Sequence, residues 1–526
     1  MKQKRDRYEM HKYWGKKPSN DLKELIEKYS SQGDTVLDPF AGYGVFGCEA
    51  LIMNRNVILN DLNPVANFLN NQLLQKDIDL QLIKKQWGEI KTEFEPFVAK
   101  WYDWNIDGKT VQLTSVLRDK NDIPIKAKYK LNGNRSCTEF EIKKSNADKY
   151  LNFENSQSIK DWFPTTRLIR NSRISAKEGM TVADLFTKRT LSCHARLLSL
   201  IETYSSGAEK DLLKVAFTAN LANCSKLVPP IKSRGAMAPG AWMTGFYIGE
   251  TYLENNVLSY FENRFNKIIK GKNDYLNQFG NNGELNFNKT QYDNTYRNLQ
   301  NDVKALDIRD ESIDYIFTDP PYGDAVPYFE QSIIWNSWLK STPDYKNEIV
   351  ISDSKDREKG IEAFEQEINA AFSEIRRVLK TNKCFSLTYH SLSGIEWKAI
   401  TNACIKNGFD LLEYKWLVQK SFTPRQINRL KSIKGDVLVT LKKSVIEKVT
   451  QKTDIEIKEL FLSHIEKWIE SGPLDTNEIF LRIMRIVFTE KILIGNVDLL
   501  KILNEDFKFS DNNKWKLNDE LELCWI

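Results

Sequence analysis

The residues with the clearest chemical potential in this chain of 526 residues lie in one short segment, residues 318–323, with the sequence Thr-Asp-Pro-Pro-Tyr-Gly. The apolar run before it, residues 313–317, contains β-branched and aromatic side chains and predicts a buried strand. Two consecutive prolines stiffen the loop that follows. Asp319 and Tyr322 are therefore expected at fixed positions beyond the carboxyl end of a strand, where open α/β sheets bind their ligands.

A loop of this composition suits attack by the weakly nucleophilic amino group of a nucleobase. Asp319 can accept one hydrogen bond from the exocyclic NH2 group, and the carbonyl of Pro320 can accept the second, because proline keeps its acceptor while it loses its donor. Tyr322 offers a flat face for a base taken out of its stack. Extrusion costs a few kcal/mol, and stacking on an aromatic ring returns about 1–3 kcal/mol. The competing interpretation is a structural turn stiffened by Pro320 and Pro321.

A second motif, residues 35–46, has the composition of a ligand-binding turn between a strand and a helix. Gly42 and Gly44 permit a tight turn and close backbone approach. The next predicted strand, residues 56–60, leads into Asp61, about 20 residues beyond the turn, where a carboxylate can bind ribose hydroxyls. No third phosphate-cradling glycine and no Gly-Lys-Ser/Thr follows, which favours S-adenosylmethionine over NAD or ATP.

Together these motifs resemble the class I S-adenosylmethionine-dependent DNA amino-methyltransferases, chiefly prokaryotic adenine-specific DNA methylases with a long insertion before the catalytic loop. The matching segments are Lys-Lys-Pro at 16–18, Asp-Pro-Phe-Ala-Gly-Tyr-Gly at 38–44, Asn-Asp-Leu-Asn-Pro at 60–64 and Thr-Asp-Pro-Pro-Tyr-Gly-Asp at 318–324. The resemblance is specific over roughly 10–65 and 300–400, looser over 180–270 and absent after about 445.

The resemblance implies an α/β fold. Its centre would be a Rossmann-like class I methyltransferase sheet, mostly parallel with an antiparallel C-terminal strand, with an inserted α+β target-recognition region and a helical C-terminal appendage. We expect the catalytic domain at residues 1–75 and 290–445, the inserted target-recognition and DNA-binding region at 76–289, and the helical domain at 446–526.

The resemblance also implies site residues. Asp319, Pro320, Pro321 and Tyr322 would form the catalytic loop. Lys17 would lie near the carboxylate of the cofactor, Asp61 would hold its ribose, and Asp302, preferred here to Asp307, would lie near its adenine. The complete set of implied cofactor-binding residues is Lys17, Asp38, Pro39, Phe40, Gly42, Gly44, Asp61, Leu62 and Asp302.

The expected reaction is site-specific methylation of the adenine N6 amino group in DNA, with the base flipped into the pocket of the catalytic loop. Cytosine N4 methylation uses the same polarisation, although that group more often has serine in place of Asp319. Guanine methylation in structured RNA is a further alternative. The long insertion and the lack of a separate N-terminal RNA-binding module argue against it. A catalytically silent nucleic-acid-binding subunit is the alternative from a different class.

The net charge of +5 is small, so a nucleic-acid surface must come from local clustering. Residues 101–175 contain 14 Lys and Arg against 9 Asp and Glu, interleaved with aromatic side chains, and are the best candidate. Arg167, Arg170 and Arg173 form a second basic patch, and the basic segment 420–431 is another candidate for phosphate contact. The competing interpretation of the first region is a solvated, lysine-rich β subdomain.

Cysteine and histidine usage gives no sign of a metal site, because the seven cysteines form no Cys-x-x-Cys pair and only four histidines are present. Reduced thiols and the lack of an apolar run of about 18 residues predict a cytoplasmic protein without a membrane span. We expect S-adenosylmethionine as the cofactor and double-stranded DNA as the partner, with a restriction-modification or defence-system protein as a further partner, in a prokaryotic or phage-encoded setting.

Overall fold

The protein is represented by a computed structural model that describes residues 5–106, 108–130, 137–280, 295–389, 395–417, 436–510 and 512–518. The described strands, in chain order, are β1 (Thr35–Asp38), β2 (Asn56–Asn60), β3 (Asp103–Ile106), β4 (Lys109–Asp119), β5 (Pro124–Tyr129), β6 (Thr138–Glu141), β7 (Thr251–Asn255), β8 (Tyr296–Leu299), β9 (Ile313–Thr318), β10 (Leu379–Tyr389), β11 (Phe409–Leu417), β12 (Asp436–Lys443), β13 (Phe507–Phe509) and β14 (Trp515–Leu517).

The described α-helices are listed here in the same order, and short 3-10 turns lie between some of them. They are α1 (Ser19–Tyr29), α2 (Val45–Ile52), α3 (Pro64–Leu74), α4 (Leu80–Tyr102), α5 (Lys144–Ser156), α6 (Lys188–Tyr204), α7 (Gly207–Leu221), α8 (Val257–Gly280), α9 (Tyr328–Asn336), α10 (Ile361–Val378), α11 (Ile395–Lys406), α12 (Asp454–Glu470), α13 (Thr476–Thr489) and α14 (Leu499–Asp506).

The central sheet has seven strands in the order β11-β12-β10-β9-β1-β2-β8. All neighbouring pairs are parallel except those of β12, which runs antiparallel to both β10 and β11. This confirms the predicted mostly parallel α/β sheet with an antiparallel strand near its C-terminal end. The arrangement is compatible with a methyltransferase fold.

The pairing of β1 with β9 brings the two sequence motifs together. Val36 lies opposite Tyr315 and Leu37 opposite Ile316 in a parallel register, so the carboxyl ends of both strands lie at the same edge of the sheet. The strand order also reverses here, since the chain continues to β2 on one side and to β10 on the other. Such a switch point is where open α/β sheets form their ligand crevice.

Both faces of the central sheet are covered, which explains why β9 is buried along its whole length. Val36 belongs to one hydrophobic core and Leu37 to the other, because successive side chains of a strand point to opposite faces. The first core extends into helices between 80 and 280, such as α4 and α8. The second extends into α10, α11 and the C-terminal helices α12–α14.

A second sheet lies in the region that we predicted to be an insertion. Its strands are in the order β3-β4-β5-β6, with β7 paired to β4, and all its pairings are antiparallel. The sequence predicts short β segments at 111–117, 123–131 and 137–143, with a turn at 132–134, and the segments correspond to β4, β5 and β6 over the described residues. The predicted turn at 132–134 and the basic segment 420–431 lie outside the described residues, and the division into three domains stays a prediction.

The helices in the described ranges include none that combines the length and the apolar composition needed to cross a lipid bilayer.

Gly44 provides a test of the turn between β1 and α2. Its φ is +77°, and a Cβ atom there would lie 2.4 Å from Oδ1 of Asn70. Gly44→Ala should therefore destabilise the fold by about 1–3 kcal/mol. In the control Gly88→Ala, on α4, the new methyl group meets nothing within 4 Å, and a helical alanine is favoured by about 0.5–1 kcal/mol.

Thermal unfolding followed by circular dichroism measures both variants. The expected result is a lower apparent midpoint for Gly44→Ala and an unchanged or higher one for Gly88→Ala. Equal midpoints for the two variants would contradict the described conformation of the turn.

Candidate active site

A cleft of about 940 Å³, including its open mouth, lies at the carboxyl edge of β1 and β9. Its lining combines apolar and aromatic side chains with a few polar groups, which is the composition of pockets that bind small molecules and cofactors. Gly44, Pro320 and Tyr322, although named from the sequence, are not among the lining residues. The predicted residues that line it are Lys17, Asp38, Pro39, Phe40, Gly42, Asp61, Leu62, Asp302, Asp319 and Pro321.

Asp61 sits between two backbone donors. The N–H of Gly42 donates to Oδ2 at 2.8 Å, and the N–H of Asn63 donates to Oδ1 at 2.9 Å. Burial nevertheless raises the pKa of Asp61 to about 6, because these two donors offset only part of the desolvation. Each carboxylate oxygen has further acceptor capacity, which suits a pair of vicinal hydroxyl groups.

Asp38 and Asp302 differ in their surroundings. Asp38 is 4% exposed, accepts the N–H of Phe40 at 3.2 Å, and has its pKa raised well above the usual value by burial. Asp302 lies after the end of β8 rather than within a strand, and its carboxylate is 3.2 Å from the ammonium of Lys304. Asp307, the competing candidate, pairs with Arg297 at 2.7 Å and is not among the residues that line the cleft.

The carboxylate of Asp319 has two chemically different oxygens. Oδ1 accepts hydrogen bonds from Thr388 Oγ1 at 2.6 Å and from the hydroxyl of Tyr322, and it lies 3.0 Å from the ammonium of Lys17. Oδ2 lies on the side of Gly15, where an added Cβ atom would be 3.4 Å away. Oδ1 is therefore fixed by the protein, and Oδ2 is the oxygen with acceptor capacity at the cleft.

Lys17 links the catalytic loop to the antiparallel strand. Its Nζ lies 3.0 Å from Asp319 Oδ1 and 3.0 Å from Asp436 Oδ2. Burial works against the Lys17 ammonium, but the two carboxylates outweigh it and raise its pKa. Burial also raises the pKa of Asp319, since one ammonium is shared between two carboxylates and offsets only part of the desolvation. The role of Lys17 beside a cofactor carboxylate stays a prediction.

Sequence reasoning missed Thr388 and Asp436. Thr388 is at the end of β10, and Asp436 is the first residue of β12. Since β12 is antiparallel, its amino end lies at the same edge as the carboxyl ends of the parallel strands. The signal that could have indicated them is a polar residue near the end of β10 and at the start of β12. This signal can be used only when the order of the strands in the sheet is known.

Aromatic side chains form one wall of the cleft. The rings of Tyr13 and Tyr328 stack with centroids 6.4 Å apart, and Trp14 meets Tyr328 edge-on at 6.1 Å. A Cβ atom on Gly15 would lie 3.5 Å from the hydroxyl of Tyr328, which is an ordinary contact distance, and it is the φ of +72° that favours glycine at this position. Such a wall suits a flat heterocycle.

Tyr43, between the two glycines of the turn, is buried and also lines the cleft. The ammonium of Lys16 lies 3.4 Å from the centroid of its ring and donates to the carbonyl of Tyr8 at 2.8 Å. Burial lowers the pKa of Lys16 to about 7. Tyr43 therefore packs under the segment that carries Lys17, which accounts for the size of this side chain.

Among the described residues, no three His, Cys, Asp or Glu side chains are grouped closely enough to hold a metal ion. The donor set at the cleft consists of carboxylates, backbone groups, aromatic rings and lysines, and this set suits an organic ligand.

Comparison with known families adds one match. Residues 1–67 match a family model for N6/N4 DNA methylases, described as "DNA methylase". The matched segment contains Lys17, the glycine turn and Asp61, and it ends before the catalytic loop. This match supports DNA methyltransferase activity. The matched family acts on DNA and generally depends on S-adenosylmethionine. A search of curated proteins finds no match.

The cluster of Lys17, Asp319 and Asp436 generates a stability prediction. Lys17→Met leaves two nearly buried carboxylates side by side without their cation, and we expect a loss of about 3 kcal/mol. Adding Asp436→Asn removes one of the two charges, so the double variant should unfold at a higher temperature than Lys17→Met alone. Differential scanning fluorimetry of the wild type, both single variants and the double variant completes the cycle.

A double variant whose loss of stability equals the sum of the two single losses would contradict the described ion pairs.

Proposed function

We propose that the protein transfers a methyl group from S-adenosylmethionine to the N6 amino group of adenine in DNA, at a specific site and after the base has been flipped out. The observation that carries this proposal is the arrangement of Asp319. One of its oxygens is fixed by Thr388, Tyr322 and Lys17, and the other lies at the cleft beside Gly15.

The residues of the cleft fit S-adenosylmethionine. The glycine turn allows the backbone to approach a ligand closely, and Asp61 has acceptor capacity for the two ribose hydroxyls. Asp302 suits the adenine, and Lys17 suits the carboxylate at the other end. When bound, this cofactor supplies a methyl group on a positively charged sulfur.

The role of the catalytic loop follows from the weakness of the nucleophile. An exocyclic amino group shares its lone pair with the ring, so it attacks poorly until its N–H groups are hydrogen-bonded. Asp319 Oδ2 and the carbonyl of Pro320 are the two acceptors that we assign to this task. Burial raises the pKa of Asp319, which makes its carboxylate a better acceptor for the proton that the methylated nitrogen must release.

Adenine is favoured over cytosine by the residue at position 319. The matching family description covers both N6 and N4 methylation. Among the DNA amino-methyltransferases that these motifs resemble, an acid at this position is typical of the adenine enzymes, whereas the cytosine N4 enzymes more often have serine. A partner from a restriction-modification or defence system, and the cytoplasmic location, stay predictions.

Asp319→Ala tests the assignment of the catalytic loop. Removal of the carboxylate should lower methyl transfer to DNA by at least about 10²-fold, the usual range for a proton-transfer group. Binding of S-adenosylmethionine, measured by calorimetry, should change little. The matched control is Asp307→Asn, because Asp307 is exposed and lies outside the cleft.

Transfer at the wild-type rate by Asp319→Ala would exclude the proposed role, and a similar loss in Asp307→Asn would show that the effect is not specific to the loop.

The raised pKa of Asp61 predicts a pH dependence of cofactor binding. Ribose hydroxyls donate hydrogen bonds most strongly to the ionised carboxylate, so affinity for S-adenosylmethionine should increase as the pH rises through about 6. In the protein without cofactor, the stability of the fold should depend on pH in the opposite direction. The folded protein holds the proton of Asp61 more tightly than the unfolded chain does, so the free energy of unfolding decreases as the pH rises through about 6.

Calorimetric titrations across this pH range measure the effect. The Asp61→Asn variant should bind more weakly at neutral pH and show a flatter profile, and a profile identical to that of the wild type would remove Asp61 from the cofactor site.

A further inference from the structure

The segment Thr165–Ser175 is strongly basic. From Pro164 to Lys177 the sequence contains three arginines and one lysine and no acidic residue. Its backbone is fixed by a hairpin-like contact, in which Arg167 is bridged to Thr181 and the N–H of Leu168 donates to the carbonyl of Met180 at 2.9 Å. These arginines therefore project from an ordered scaffold.

The same segment is attached directly to the catalytic loop. Arg173 pairs with Asp324, five residues after Asp319, at 2.7 Å. The N–H of Ser172 donates to Asp353 at 3.0 Å. These contacts border a groove of about 830 Å³, including its open mouth, beside the loop. Because a residue spans at most about 3.6 Å of chain, Arg170 lies within roughly 11 Å of Arg173 along the backbone.

Arg167 and Arg170 differ from Arg173 in their partners. Both side chains are exposed, and neither pairs with a carboxylate in the part of the chain that the structure describes. An exposed guanidinium without an acidic partner keeps its five donors for a phosphate group. Arg173, in contrast, is already neutralised by Asp324, and we assign it to anchoring the segment.

An exposed aromatic ring lies in the loop that contacts the end of this segment. The N–H of Ser175 donates to the carbonyl of Gly245 at 2.8 Å, and Tyr247, two residues further on, is 55% exposed. Exposed aromatic rings among arginines are a common composition of surfaces that bind nucleic acids.

We propose that Thr165–Ser175 is the phosphate-binding edge of the active site, where Arg167 and Arg170 bind the DNA backbone next to the nucleotide at the catalytic loop. Arg173 and Ser172 hold this edge at a fixed distance from Asp319. The inference rests on the proposed action on DNA and adds to it the surface that positions the strand.

The salt dependence of DNA binding tests this assignment. Each phosphate contact contributes about 0.9 to the slope of log K against log salt concentration. Arg167→Gln/Arg170→Gln should therefore lower the slope by about 1.8, measured between about 50 and 200 mM salt. The probe is a fluorescein-labelled, unmethylated DNA duplex of mixed sequence, read by anisotropy with the full-length protein, since this electrostatic contribution does not require the target sequence.

The control Lys467→Gln/Arg485→Gln removes the same charge from exposed positions on α12 and α13. It should leave the slope unchanged, and both double variants should keep the wild-type melting temperature and cofactor affinity. An unchanged slope for the Arg167 and Arg170 variant, while the wild type still binds DNA, overturns this inference and leaves the proposed reaction standing. An equal decrease in both double variants also overturns it. If the wild-type protein shows no salt-dependent binding to DNA, both this inference and the proposed reaction on DNA are wrong.

Discussion

The parallel pairing of β1 with β9 is the constraint on which the rest of the site depends. It places a glycine turn and a proline-stiffened loop at the same edge of one sheet. The two segments are far apart in sequence, since Asp38 and Asp319 are separated by 281 positions. The register is strongly specified because both faces of these strands are buried, and a slip by one residue would exchange the two cores. The cleft is therefore a consequence of sheet packing rather than of loop contacts.

Electrostatics then fixes the catalytic loop within this frame. A single ammonium, Lys17, lies between Asp319 and Asp436, so the N-terminal segment, the loop after β9 and the start of β12 are held by one charge cluster. The cluster orients one oxygen of Asp319 and leaves the other at the cleft. The cost of this arrangement is a nearly buried group of charges with one more carboxylate than cation, which is the kind of strain that functional sites retain.

Much of this could be predicted from the sequence where the signals are local. The strand β9 follows from an apolar run, its loop from two prolines, and Asp61 from its distance beyond the glycine turn. Lys17, which was named from the sequence, lines the cleft, but its partners were not foreseen, since Asp436 is 419 positions away and its place depends on the antiparallel pairing of β12.

The same limit applies to the second sheet. The segments β4, β5 and β6 were predicted from local composition, whereas β7 was not, because its pairing joins Ser115 with Asn255 across 140 positions. The attachment of the arginine segment to the catalytic loop also depends on such long-range contacts, and only the charge of the segment is visible in the sequence.

The central claim is methyl transfer to the N6 amino group of adenine in DNA, and nucleoside analysis tests it most directly. The purified protein is incubated with labelled S-adenosylmethionine and unmethylated genomic DNA, with total RNA in parallel, and the digested nucleosides are separated by mass spectrometry. We expect label in N6-methyladenine from DNA and none in RNA. Label in N4-methylcytosine, label confined to RNA, or no label with cofactor bound would contradict the central claim.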